Sequence, residues 1–368
     1  MTTTVHAAVL NGVEEPFAFQ ELTLRDIRPD EVLVKIAAVG LCHTDLAVQH
    51  GDIPGVFPFV LGHEGAGVVE QVGDAVVGIS AGDSVAMSFA ACGHCRNCLA
   101  GQPAYCANFM PLNFAGIRED GTTSLQDADG NEVHGNFFGQ SSFASYAIAE
   151  ARNVVVLPEG APVEISGPLG CGIQTGAGTV LNSLNVPAGG SIVVTGTGAV
   201  GLSGIMGAKV AGATTIIAVD IIDERLEFAK KLGATHTINS RNEDPVARIQ
   251  EITGGGASYA LDTTAVPVVV QQVIEATAFG AKIALVGVPR PGATLDLGLI
   301  SAAGKTLVGA IEGDSIPQIF IPQMIELYKA GEFPFDELVT TYPFDHIEQA
   351  IADTGSGKAV KAVLVMPE

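Results

Sequence analysis

Positive charge is scarce in this chain of 368 residues. Its 18 Lys and Arg stand against 40 Asp and Glu, for a net charge of −22. Nucleic-acid binding needs clustered Lys and Arg to neutralise phosphate, so that class is excluded, as is attraction to anionic membrane surfaces. Long apolar runs are also missing. Gly, Pro or charge interrupts each hydrophobic stretch before it reaches spanning length, which predicts no transmembrane helix. The opening MTTTVHAAVLNG has no basic segment ahead of an apolar one, which predicts no secretory leader. The acidic surface promotes solubility, and the expected compartment is the cytoplasm. What is abundant is core material: hydrophobic residues make up 47%. The length exceeds what one core usually serves, so two domains are expected.

Cysteine is scarce too, with six in all, and four of them crowd into ACGHCRNCLAGQPAYC. Cys92, Cys95, Cys98 and Cys106 follow C-x2-C-x2-C-x7-C. Disulfides suit small secreted domains rather than a reduced compartment. An iron–sulfur cluster shares the opening spacing, but its fourth Cys comes after three residues and precedes Pro; here it comes after seven and precedes Ala107. A tetrahedral four-thiolate zinc site is the remaining reading, a closed staple with no position for substrate. Cys42 in VGLCHTDLAVQHG and Cys171 in GPLGCGIQTG flank FPFVLGHEGAGVVEQVG, which holds His63 and Glu64. Two Cys and one His form a known catalytic zinc set with one open position. Cys42, His63 and Cys171 supply those residue types, although their separation in sequence does not decide the matter.

SIVVTGTGAVGLSGIMGAKVAGATTIIAVD reads as strand, glycine-rich turn, helix and second strand, closing on Asp220. Gly196, Gly198 and Gly201 form G-x-G-x-x-G in the context that gives the motif meaning. The first Gly allows the tight turn, the second lets backbone approach a pyrophosphate, and the third lets helix pack on strand. The helix start, with Ala199, offers N–H groups to phosphate. Asp220 can accept from ribose hydroxyls and would repel a 2′-phosphate, so NAD is expected over NADP. Strands at SYALDTTA, AKIALVGVP and KTLVGAIEG, with helices at DERLEFAKKLGA and VPVVVQQVIEATAF, continue a doubly wound α/β domain. The N-terminal part reads as irregular and mostly β. A helix near IPQMIELYKAG and a strand at AVKAVLVM close the chain.

In combination, GLCHTD, GHEGAGVVEQVG, CGHCRNC, GCGIQTG, GTGAVG and LVGVP resemble the zinc-dependent medium-chain alcohol dehydrogenases from end to end. FFGQSSFASY and GAIEGDS are most similar to the aryl- or benzyl-alcohol branch. The resemblance implies a Rossmann coenzyme domain over 173–311 and a mostly β, GroES-like catalytic domain over 1–172 and 312–368, with a structural-zinc lobe at about 88–112. It implies two zinc ions and NAD. Cys42, His63 and Cys171 would hold the catalytic zinc, and the four clustered cysteines the structural one. Glu64 would sit behind the metal, Asp45 would orient the zinc-bound His, and Thr44 would bond the substrate oxygen. Asp220 and Arg225 would bind the ribose, and His43 and Lys361 the pyrophosphate. Thr175 and Val200 would pack around the nicotinamide. Val286 and Ala310 would offer backbone contacts to its carboxamide, with Val288 nearby. Ile53, Phe89 and Phe114 would line an apolar substrate pocket.

The implied activity is reversible oxidation of primary alcohols to aldehydes, aromatic ones such as benzyl alcohol foremost, in a homodimer or homotetramer. One departure stands out. Family members often continue the proton relay to a His five positions after the first zinc Cys, and Ala47 occupies that position here. His50 is close in sequence and reads as a surface residue. The rival readings are a glutathione-linked formaldehyde dehydrogenase, a polyol dehydrogenase, and a zinc- and NAD-binding protein without turnover.

Overall fold

A computed structural model describes residues 3–287, 292 and 294–367. Backbone contacts divide the chain into two compact units. The first comprises Met1–Cys171, Ile316–Glu326 and Asp336–Glu368, and the second Gly172–Ser315 and Leu327–Phe335. Of the segment 312–368, expected with the first unit, residues 312–315 and Leu327–Phe335 group with the second.

The first unit is built on mainly antiparallel sheets, with Val339–Pro343 and Lys361–Val365 paired in parallel. One has five strands and contains the hairpin of Thr3–Leu10 with Ala18–Leu24. The other has seven, with Glu31–Gly40 near its centre. That ten-residue strand pairs with Gly65–Val72, with Tyr146–Glu150 and, at its far end, with Lys361–Val365. It is buried at eight of its ten positions, so it reads as a continuous apolar run rather than an alternating one. Where this strand ends, the chain passes through Cys42 into the short helix His43–Gln49. Where its partner begins, at Gly65, the chain has just left His63 and Glu64. Sheet pairing therefore brings two distant motifs together.

The second unit carries six parallel strands. In spatial order they are His236–Asn239, Thr215–Asp220, Ser191–Thr195, Ala257–Asp262, Thr277–Leu285 and Thr306–Gly309. Numbered along the chain, that order is 3-2-1-4-5-6, the dinucleotide-binding arrangement, with its switch point beside Ser191–Thr195. The helix Asp223–Leu232 shows why such elements form locally. Asp223 and Glu224 occupy its first turn, Lys230 and Lys231 its last, and Gly233 at φ 130° ends it. The strand His236–Asn239 and the helix Pro245–Thr253 carry no strong signal in the sequence. The strand is short and only partly buried, and lacks an apolar run.

Candidate active site

Ligand atoms of Cys42, His63, Glu64 and Cys171 all lie within 4.8 Å of one another. His63 and Glu64 are fully buried, and Cys171 is 7% exposed. Asp45 sits one turn into the helix that Cys42 caps. Its carboxylate accepts from the Cys42 N–H at 3.0 Å, the Gly62 N–H at 3.1 Å and the His63 Nδ1 at 3.0 Å. One buried acid thus ties both ligand-bearing segments together and fixes the His63 tautomer. The other ring nitrogen, Nε2, is buried, and among the described residues it has no hydrogen-bond partner. A buried imidazole nitrogen facing two sulfurs and a carboxylate is a donor set that fits a thiophilic divalent cation.

The electrostatics agree. Burial works against a charged imidazole, yet Asp45 and Cys42 push the His63 pKa well above its ordinary value. A hydrogen bond from Cys171 leads the effects that hold the Cys42 thiol well below its usual range. Burial pushes Glu64 up to about 7, against the pull of Lys361. Glu64 fits behind the cluster because its neighbours are glycines. A Cβ at Gly40 would strike its carboxylate, and one at Gly167 its carbonyl.

Lys361, expected at the pyrophosphate, has partners within the first unit. It is 4% exposed, and its ammonium bonds Glu64 at 2.7 Å and the Leu41 carbonyl at 3.0 Å. A carboxylate buried this deeply needs a counter-charge, and the last strand of the seven-stranded sheet delivers one. Thr44 Oγ1 lies 3.8 Å from Cys42 Sγ, which donates to it. His43 and His50 are exposed, and Ala47 is buried.

Aromatic rings surround His63. Phe138 stacks on the imidazole at 4.5 Å, and Phe137 meets it edge-on at 5.4 Å. Phe114 packs edge-on against both phenylalanines, and Phe89 packs against Phe109. Ile53 is half-buried against the same core. Phe137 and Phe138 escape a reading by spacing because their role depends on backbone geometry. Phe138 has φ 51°, which a bulky side chain rarely adopts.

Cys92, Cys95, Cys98 and Cys106 also have their sulfurs within 4.8 Å of one another. Backbone N–H groups point at these sulfurs: Cys95 to Cys92 at 3.3 Å, Cys92 to Cys106 at 3.3 Å, and Ala107 to Cys95 at 3.4 Å. Such donors favour thiolates. The Ala107 N–H leads in lowering Cys95 to about 6, while burial raises Cys98 to about 12. Arg152 bonds the Cys92 carbonyl and anchors the lobe.

In the second unit the glycine turn has the expected geometry. Gly196 sits at φ 83°, a Cβ on Gly201 would strike the Gly196 carbonyl, and a Cβ on Gly198 would meet nothing within 4 Å. That open space above the second glycine fits a pyrophosphate at the start of helix Ala199–Val210, where Val200 is half-buried. Asp220 accepts from the Thr197 N–H and hydroxyl, both at 2.7 Å, and from the Ile221 and Ile222 N–H groups. Arg225 has a buried Nε without a partner among the described residues. Thr175 is half-buried on the helix Gly172–Gly178. The Val286 and Ala310 N–H groups bond the Asp262 and Leu285 carbonyls, so a carboxamide would meet their own carbonyls. Val288 lies outside the described residues.

Comparison with known proteins bears on both units. The family described as alcohol dehydrogenase GroES-like domain matches residues 28–159, and that described as zinc-binding dehydrogenase matches 199–330. The chain is 44% identical over 365 residues to a geraniol dehydrogenase of Castellaniella defragrans, covering 98% of each. A benzyl alcohol dehydrogenase structure from Acinetobacter calcoaceticus superposes with TM-score 0.96 at 46% identity, covering 99% of this chain and 100% of that one. An alcohol dehydrogenase zinc-binding domain protein from Burkholderia ambifaria superposes at 0.98 with 51% identity, covering all of both. Matched in both units and along its whole length, this chain belongs to the zinc-dependent medium-chain alcohol dehydrogenases.

Proposed function

We propose that this enzyme oxidises primary alcohols, aromatic ones such as benzyl alcohol foremost, to aldehydes by reversible hydride transfer to NAD. One zinc would be held by Cys42, His63 and Cys171, and a second by Cys92, Cys95, Cys98 and Cys106. The observation that carries the reading is the buried His63 Nε2, without a hydrogen-bond partner among the described residues, facing two cysteine sulfurs. When bound, zinc supplies a Lewis acid that lowers the pKa of an alcohol hydroxyl, and NAD supplies the hydride acceptor.

The chain's own groups do the rest. Asp45 keeps the His63 Nε2 lone pair aimed at the cation site. Thr44, beside Cys42, would accept a hydrogen bond from the substrate hydroxyl and relay its proton onward. Beyond Thr44 the route would not pass through Ala47, which has no titratable group. Glu64, held by Lys361, puts a carboxylate behind the cluster. The glycine turn and the start of helix Ala199–Val210 would take the pyrophosphate, with Asp220 and Arg225 at the adenosine ribose. A carboxylate at that ribose disfavours the 2′-phosphate of NADP.

Phe114, packed edge-on against Phe137 and Phe138 beside His63, would favour an unsaturated or aromatic group next to the carbinol carbon. Geraniol and benzyl alcohol, named for two relatives, share that chemistry. No helix of the described residues is long and apolar enough to cross a membrane. Assembly into dimers or tetramers through edge strands of the nucleotide unit follows the family pattern.

The test is the initial rate of NADH formation with benzyl alcohol against ethanol under matched conditions. A strong preference for benzyl alcohol is expected. Preference for ethanol would overturn the aromatic specificity while leaving the zinc chemistry, and no rate with either would overturn the activity.

A further inference from the structure

The segment NFFGQSS, residues 136–142, contributes none of the ligands described above, yet it is the most strained stretch around the site. Asn136, Phe138, Gly139 and Ser141 all have positive φ, at 59°, 51°, 66° and 57°. Non-glycine residues hold such angles where the surroundings over-determine them, and such strain clusters at functional sites. What over-determines this stretch is a set of buried hydrogen bonds to the segment that carries His63 and Glu64.

Gln140 is at the centre, with 2% of its surface exposed. Its amide nitrogen donates to the His63 carbonyl at 2.9 Å and to the Ser88 carbonyl at 3.4 Å. Its amide oxygen accepts from the Gly65 N–H at 3.1 Å and the Ser142 hydroxyl at 2.6 Å. One side chain therefore grips the peptide on both sides of His63–Glu64. Ser88, which Gln140 reaches, donates its hydroxyl to the Gly170 carbonyl at 2.6 Å. Gly170 precedes Cys171. The chain of bonds runs from the His63 backbone through Gln140 and Ser88 to the backbone at Cys171, and the whole of it lies within the first unit.

We propose that Gln140 is a positioning residue for the metal site, setting the spacing between the His63 and Cys171 segments through Ser88. The assignment rests on the metal reading above. Asp45 couples His63 to Cys42, and Gln140 couples His63 to Cys171, so the His63 segment is braced to each of the other two by a different buried polar side chain. A glutamine suits this place because its amide offers two donors and two acceptors, and all four are engaged. A methionine of similar length would fill the volume with none of them.

The experiment follows zinc release from the folded enzyme to a chromogenic chelator. The phase belonging to the Cys42–His63–Cys171 site is identified by its loss in His63→Ala, and the four-cysteine phase serves as internal reference. Gln140→Met should speed the first phase by about tenfold or more and leave the second within about twofold. Ser88→Ala, which keeps the Ser88 carbonyl but removes the arm to Gly170, should speed the same phase by a smaller factor. The proposal is overturned if Gln140→Met releases zinc at the parent rate. It is also overturned if both phases accelerate together, the mark of general loosening. If Gln140→Met does not fold, Ser88→Ala decides: an unchanged first phase overturns the proposal. A parent enzyme with no such phase would instead overturn the metal reading itself.

Discussion

Two clusters of cysteine ligands in one unit are built on opposite plans. Cys92, Cys95, Cys98 and Cys106 come from one short loop, and their sulfurs accept N–H groups from that same loop. Cys42, His63, Glu64 and Cys171 come from segments far apart in sequence, joined by sheet pairing and by buried side chains. The first presents four thiols, which would fill a tetrahedral metal and leave nothing to react. The second mixes ligand types and keeps a nitrogen with no hydrogen-bond partner among the described residues. A closed local cluster serves stability, whereas an assembled mixed one serves chemistry, and substitutions at the two should separate along that line.

The widest separation is expected at the assembled cluster. Cys42→Ser keeps the size of the side chain and removes a thiolate, so kcat/KM for benzyl alcohol should fall about a thousandfold or more. Its melting temperature should stay within about 3 °C of the parent. A variant retaining a tenth of the parent rate would break the comparison. Cys95→Ser should do the reverse, lowering the melting temperature by roughly 5–10 °C while changing the benzyl alcohol to ethanol preference less than about twofold. Unchanged melting with altered preference would contradict the staple.

Asp45→Asn sharpens the picture, because it leaves every ligand in place. Loss of the carboxylate on His63 Nδ1 should weaken zinc at the first site about 10- to 100-fold, read by competition with a chelator. Zinc in the four-cysteine lobe should be unaffected.

Asp353 offers a polar cluster with no thiol at all, taking bonds from Lys358, Tyr342 and Gln349. Lys358 leads in holding its carboxyl below the ordinary 3.8. A depressed folded pKa gives stability that is full above the unfolded value and is lost as pH falls through the folded one. The melting temperature of Asp353→Asn should therefore fall less steeply than the parent's from about pH 5 to about pH 3. Parallel curves would remove that contribution. The smallest effect is expected at His50, which is exposed at the end of the helix His43–Gln49. His50→Ala should leave the pH–rate profile nearly unchanged, and a large loss of rate near neutral pH would make it the proton exit.

Legibility in the sequence followed how local each feature is. The glycine turn reads directly, because Gly196, Gly198 and Gly201 answer to backbone constraints within one turn of chain. Strands and helices of the nucleotide unit read from their apolar runs, except the half-buried strand at His236 and the helix after Pro245. Lys361 reads in sequence only as a cofactor contact, since nothing nearby announces that Glu64 is buried against it. Gln140, Phe137 and Phe138 sit inside a quoted motif, yet no periodicity distinguishes a clamp from a loop.

By itself the sequence determined the residue types capable of holding zinc and NAD, most of the alternating strands and helices of the nucleotide unit, and the acidic character of the chain. These follow from composition, short-range spacing and backbone sterics. Only the tertiary structure decided which cysteines meet His63, that Lys361 neutralises Glu64, and that Gln140 braces the two ligand-bearing segments. Those contacts join residues far apart along the chain. Their geometry is set by strand pairing and by the need of every buried polar group for a partner.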